Sequence, residues 1–125
     1  MTLDLPEPPS ANVYYRYGKG RTYMSLDGVA YNLKVMAVCR RKKIKPLRGE
    51  IAVTVHWYRG IKSGDIDNRI KPILDSLQGH AYANDKQIVE LHAYRHDRKG
   101  NAGVTVTIEA APLKELWQWN PRSPH

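Results

Sequence analysis

In "EIAVTVHWYRG", residues 50–60, Ile51, Val53, Val55 and Trp57 fall at every second position. Successive side chains of an extended chain leave opposite faces, so this stretch buries one face only as a β-strand. The segment that follows changes period. In "GDIDNRIKPILDSLQG", Ile70, Ile73, Leu74 and Leu77 recur at three- and four-residue intervals, which is the apolar stripe of a helix. Asp67 is the expected N-cap and Gly79 the expected stop, with Pro72 tolerated in the first turns. A strand and a one-faced helix this close together call for a sheet with helices packed on it.

The remaining segments fit that frame. "LDLPEPPSAN" reads as a short strand entering a proline-stiffened loop, and "VYYRYGKGRTYMS" as a surface loop or short hairpin. Ser25 is expected to cap a helix whose stripe is Leu26, Val29, Ala30, Leu33 and Ala37, with Cys39 beyond. Arg40, Arg41, Lys42 and Lys43 crowd its C-terminus, where cations suit the helix dipole. "QIVELHAYRHDR" and "GVTVTIEAA" read as two strands joined in a hairpin through "DRKGNAG". The fold class is therefore α+β: a single domain over residues 1–111, with a mixed sheet and two helices covering one face. Residues 112–125, with Trp117 and Trp119, form a tail.

Charge narrows the partner. Lys+Arg 20 against Asp+Glu 12 gives a formal net charge of +8, a balance that attracts phosphate backbones. No apolar run is long enough for a membrane span, and one cysteine, Cys39, makes no internal disulfide. The early acid and prolines of "MTLDLPEPPS" do not resemble a signal peptide, so a cytoplasmic protein is expected. Arg16, Lys19 and Arg21 lie among four tyrosines, a composition that grips sugar-phosphate and equally packs on a sheet.

Against this basic background, residues 64–87 hold Asp65, Asp67, Asp75 and Asp85, with Arg69 and Lys71 among them. Asp65 and Asp67 share a face if the chain is still extended there. Asp67, Lys71 and Asp75 share one along the helix. Asp85 follows a turn and is expected to fold back beside the strand end that carries Asp65. Gathered carboxylates repel unless a hard cation holds them, and magnesium takes such oxygens together with waters and phosphate. The same residues also serve as helix caps and a Lys71–Asp75 ion pair, and spacing alone leaves both readings open.

"PPSANVYYRYGKGRTYMS", "GDIDNRIKPILDSL" and "NDKQIVEL", in that order over about residues 3 to 110, resemble the RusA family of Holliday junction resolvases. The resemblance implies a homodimeric, magnesium-dependent endodeoxyribonuclease, with manganese as a substitute ion, that resolves four-way DNA junctions by paired nicks. It makes Asp65, Asp67 and Asp85 metal-binding catalytic carboxylates and gives Lys71 the scissile phosphate. Asp75 is then a supporting acid, and Asn84 stands where some relatives carry a second acid. Arg16, Lys19, Arg21, Lys43 and Arg69 are the expected DNA-backbone contacts. Two other functions suit the composition: a basic nucleic-acid-binding module without catalysis, and a nuclease for other branched DNA.

Overall fold

The computed structural model describes residues 1–60, 64–97 and 100–111. The elements are β1 (Thr2–Leu5), α1 (Ala11–Tyr14), β2 (Tyr15–Gly18), β3 (Arg21–Met24), α2 (Leu26–Arg41), β4 (Ile51–Arg59), α3 (Asp67–Leu77), β5 (Ile88–Asp97) and β6 (Gly103–Ala110), with a 3-10 turn at Asp85–Gln87. A four-stranded sheet runs in the order β1-β6-β4-β5, and β2 and β3 form a separate hairpin. β4 is parallel to β5 and antiparallel to β6, so the sheet is mixed. The class is the expected α+β. The tail, with both of its tryptophans, lies outside the described residues.

One face of the sheet holds the core. Register places Leu3, Val106 and Val55 in one row and Leu5, Val104 and Trp57 in the next. All six are buried, and they cluster with Tyr31, Val35 and Cys39 of α2 and Ile70, Ile73 and Leu77 of α3. The alternation seen in "EIAVTVHWYRG" is thus the centre of the core. Fully burying each such side chain stabilises by about 1.5–3 kcal/mol, an upper figure for an extended unfolded reference. The opposite face carries Thr54, His56 and Tyr58, with His92, Tyr94 and His96 from β5. There His56 Nδ1 lies 2.9 Å from His96 Nε2 and its ring stacks on Tyr94. These histidines are surface residues of the sheet.

Three expectations fail for physical reasons. First, α2 buries Gly28, Tyr31, Val35 and Cys39, while Leu26, Val29 and Leu33 face outward. The apolar stripe lost because Tyr14 presses its backbone onto Gly28: a Cβ there would stand 2.6 Å from the Tyr14 carbonyl oxygen. Second, β5 and β6 form no hairpin, since β4 lies between them. The regular apolar face of β6 (Val104, Val106, Ile108) wins the inner position. β5, with His92, Tyr94, Arg95 and His96, is left at the edge. Third, Asp67 is not a cap. Ile66 is already in the αR conformation, Arg69 and Ile70 N–H groups donate to its carbonyl, and Asp67 is the first helical residue. Pro72 accordingly falls in the second turn. The helix stops one residue before Gly79: Gln78 is already extended, and Gly79 follows at φ +91 with its N–H bonded to the Tyr82 carbonyl.

Alanine at position 28 tests the close approach of Tyr14. In an open helix Gly→Ala gains about 1 kcal/mol. Here it is expected to lose about 1–3 kcal/mol in urea unfolding, because a backbone oxygen has to move. A stability gain would refute that packing.

Candidate functional site

α3 and the helix-facing side of β5 enclose an elongated cleft of about 410 Å³. Ile66, Ile70, Leu74, Leu91 and Ala93 form its apolar floor, and Asp67, Lys71, Asp75 and Asp85 supply its polar groups. The spacing of four therefore does place Asp67, Lys71 and Asp75 along one face, as expected. Two turns separate Asp67 from Asp75, about 12 Å at the α-helical rise. Asp75 Oδ2 accepts from Lys71 Nζ at 3.1 Å and also from the Tyr15 hydroxyl. Tyr82 packs at the same end, fully buried, with its hydroxyl donating to the Leu74 carbonyl at 2.6 Å. Burial, then the charges of Asp75 and Asp85, push its phenol well above the ordinary tyrosine value.

The fold-back of Asp85 occurs, but to the other end of the helix. Its backbone N–H donates to Gln78 Oε1 at 3.1 Å, at the C-terminus of α3. Parallel register sets the start of β5, Ile88, against Ile51 at the start of β4, whereas Asp65 follows the end of β4. Asp65 is exposed and lies outside the cleft lining. With Ile66 coiled, the two-residue spacing no longer aligns Asp65 with Asp67. Among the described residues, no three carboxylate, imidazole or thiol groups stand close enough to hold one metal ion. The expected single trio is instead a row with Asp67 and Asp85 at opposite ends.

Two scaffolds hold these ends. Gln87 accepts from the N–H groups of Ala83 and Asn84 at 3.0 Å and donates to the Leu47 and Gly49 carbonyls at 2.9 Å. Asn84 accepts from Lys86 N–H at 2.9 Å, so it caps the turn that presents Asp85. At the other end, Arg59 donates to both oxygens of Asp97 at 2.9 Å and to the Gly64 carbonyl at 3.1 Å. It thereby ties the segment before Asp65 to the ends of β4 and β5.

The model of the family described as endodeoxyribonuclease RusA matches residues 6–109. The chain belongs to the RusA family. It is similar to the crossover junction endodeoxyribonuclease RusA of Escherichia coli K12, 28% identical over 112 residues covering 85% of this chain and 92% of the relative. The same-named protein of Enterobacteria phage 82 is 28% identical over 111 residues, covering 84% and 92%. That of E. coli O139:H28 is 30% identical over 91 residues, covering 70% and 75%. The RusA match takes in every carboxylate named above and the basic hairpin.

On that RusA hairpin, Arg16 pairs with Tyr23 and Gly18 with Arg21, so both arginines share one face. Arg16, Lys19 and Arg21 are exposed, as is Lys43 beyond α2. Arg69 differs. Its guanidinium donates to the Pro8 carbonyl at 2.5 Å, lies 4.0 Å from Glu7 and sits 5.2 Å over the Trp57 ring. Only 16% of its side chain is exposed. This arginine bolts the N-terminal proline loop to α3, and the expected DNA contact is not offered by that geometry. Sequence reading gave no role to Arg59, Gln87 or the Tyr15 hydroxyl. Gln87 ends a visible Asn-x-x-Gln capping pattern, but nothing set Tyr15 apart among four neighbouring tyrosines.

Arg69→Lys keeps the charge and removes the planar fork. Stability is expected to fall by about 2 kcal/mol in urea unfolding, with the salt dependence of DNA binding unchanged. A neutral effect on stability together with a shallower salt slope would return Arg69 to the DNA surface.

Proposed function

We propose that this chain is a magnesium-dependent endodeoxyribonuclease that resolves four-way DNA junctions by paired nicks, acting as a homodimer in the cytoplasm. The observation that carries this reading is a cleft with acidic ends in a chain of net charge +8. A basic exterior attracts a polyanion, and carboxylates otherwise repel it. The combination makes chemical sense where a divalent cation stands between carboxylate and phosphate. The names of the relatives above supply the junction as substrate.

Asp65, Asp67 and Asp85 are assigned to metal binding, magnesium or manganese in its place; Asp85 stands at the far end of α3 from Asp67, so no single ion meets all three in this arrangement. Their hard oxygens fit either ion, and magnesium needs only one or two carboxylates beside waters and phosphate oxygens. When bound, such an ion activates water and offsets charge developing on the cleaved phosphodiester. Lys71, whose side chain is 65% exposed, reaches out of the cleft and holds the scissile phosphate. Arg16, Lys19, Arg21 and Lys43 hold flanking backbone, which reads the junction by shape and charge.

Two cuts call for two sites related by a two-fold axis. β5 gives a second copy somewhere to dock. It is an edge strand, residues 91–97 are exposed, and Leu91 and Tyr94 are among them. Among the described residues no strand pairs with its outer edge, and an edge of this length is a template for pairing.

One observation favours the non-catalytic module: no three ligand groups converge among the described residues. That reading requires junction binding indifferent to magnesium, no cutting, and a melting temperature unmoved by the ion.

Asp65→Asn separates the two. Cutting of a synthetic four-way junction in magnesium is expected to disappear, while gel-shift affinity is kept or tightened because a repelling charge is gone. Undiminished cutting would remove Asp65 from the metal site. Arg16→Ala is expected to lower the log K against log salt slope by about 1, with no change in where the junction is cut. An unaltered slope would take Arg16 off the backbone.

A further inference from the structure

Tyr14 is the last residue of α1 and Tyr15 the first of β2, where the basic hairpin leaves the body. Tyr14 is buried against α2, its hydroxyl donating to Asn32 Oδ1 at 2.5 Å and its carbonyl accepting from Ser25 N–H at 2.9 Å. Tyr15 turns instead to α3. Its hydroxyl donates to Asp75 Oδ2, the same oxygen that accepts from Lys71 Nζ at 3.1 Å, and the Lys71 ammonium lies 5.4 Å from the centre of its ring. Three groups therefore converge on one cation: a carboxylate, the hydroxyl that orients it, and an aromatic face.

An i,i+4 pair with Lys71 preceding Asp75 is the less favourable order on a helix, and exposed pairs of this kind are worth about 0–1 kcal/mol. Alone, it would not hold a lysine with about 2 kcal/mol of rotamer entropy in one place. Tyr15 supplies the missing constraint. Its ring is fixed at the root of β2 edge-on to Tyr14, with centroids 4.6 Å apart.

We propose that Tyr15 is a positioning residue for Lys71: it fixes the Asp75 carboxylate and so aims the lysine at the phosphate, from the first residue of the basic hairpin. This rests on the nuclease reading given above. Tyr15 touches neither substrate nor metal and works through Asp75. Burial first, and then the bond to Asp75 and its charge, push the phenol far above its ordinary value. It therefore remains a donor across the range in which enzymes work. Because β2 also carries Arg16, the segment that grips DNA and the residue that aims the lysine are neighbours in the chain.

The test uses the full chain and a synthetic four-way junction in magnesium. It compares wild type, Tyr15→Phe, Tyr15→Leu, Lys71→Met and the Tyr15→Phe/Lys71→Met double variant. Phenylalanine removes only the hydroxyl, and leucine removes the aromatic face as well. Single-turnover cutting at saturating protein is expected to slow about ten-fold in Tyr15→Phe and further in Tyr15→Leu, as misplaced catalytic groups do. Gel-shift affinity in Tyr15→Phe is expected to stay within about two-fold of wild type. In the Lys71→Met background the Tyr15→Phe change is expected to cost nothing more. Full additivity there, or Tyr15→Phe cutting at the wild-type rate, overturns the proposal. The Lys71 ammonium is read separately by 15N NMR, where its ordered signal is expected to broaden in Tyr15→Phe; an unchanged signal also overturns it. If wild type cuts no junction, the nuclease reading fails, and the ammonium signal still decides whether Tyr15 places the lysine.

Discussion

The burial of β4 on one face, with neighbours on both edges, is the constraint from which the other elements follow. Ile51, Val53, Val55 and Trp57 are wholly removed from water. β6 and β5 take its two sides, and the helices must cover what remains. Trp57 at its far end adds a polar demand, because a buried indole N–H needs an acceptor. Glu7 Oε2 provides it at 3.0 Å, and Arg69 then balances Glu7 while lying over the same ring. One tryptophan thus draws the proline loop down, fixes the start of α3 and so sets where Asp67 emerges. A largely buried guanidinium alone would be costly, and the Pro8 carbonyl, the half-buried Glu7 and the indole face offset that cost.

Much of this was legible because it follows a period. β4 and β6 bury the residues that their two-residue pattern marks, and α3 buries Ile70, Ile73 and Leu77 of its stripe while Leu74 lines the cleft. What failed depended on partners distant in sequence. α2 has a clean apolar stripe at Leu26, Val29 and Leu33, and it faces outward because the rival face carries Gly28, the one residue that admits the Tyr14 backbone. Local hydrophobicity cannot register a glycine chosen for closeness. Strand order was likewise hidden, since "DRKGNAG" is compatible with a tight turn and with a chain passing the end of β4. Choosing between them requires weighing β5 against β6 for burial. In the site, the helical row Asp67, Lys71, Asp75 was readable from spacing. Arg69 was misplaced because a basic residue among acids looks like a surface ligand until Glu7 and Trp57 are seen beneath it.

The carboxylates divide by use. Glu7 accepts from Trp57, Asp4 from Thr105, Asp97 from Arg59, and Asp75 from Lys71 and Tyr15. These are structural acids, each fixed by a donor in the fold. Asp67 and Asp85 line opposite ends of the cleft: Asp67 opens α3, and the Asp85 backbone is held by Gln78 Oε1 at 3.1 Å and by the Ile88 N–H. Four hydrogen bonds from the Gln87 side chain fix the turn on which the exposed Asp85 sits.

Separation along α3 also resolves the problem that clustered anions pose. At about 12 Å or more through water, two unit charges interact by only about 0.3 kcal/mol, and salt reduces this further. At 4 Å in a partly buried setting the same repulsion would reach about 4 kcal/mol, a large share of the stability of a domain this size. Two turns of α3 therefore keep the repulsion between Asp67 and Asp75 small. On the nuclease reading proposed above, donors that stand apart leave contacts for phosphate oxygens and bound ions to supply. Among the described residues that line the cleft, Lys71 is the one cation, and Asp75 holds it at 3.1 Å between the two acidic ends.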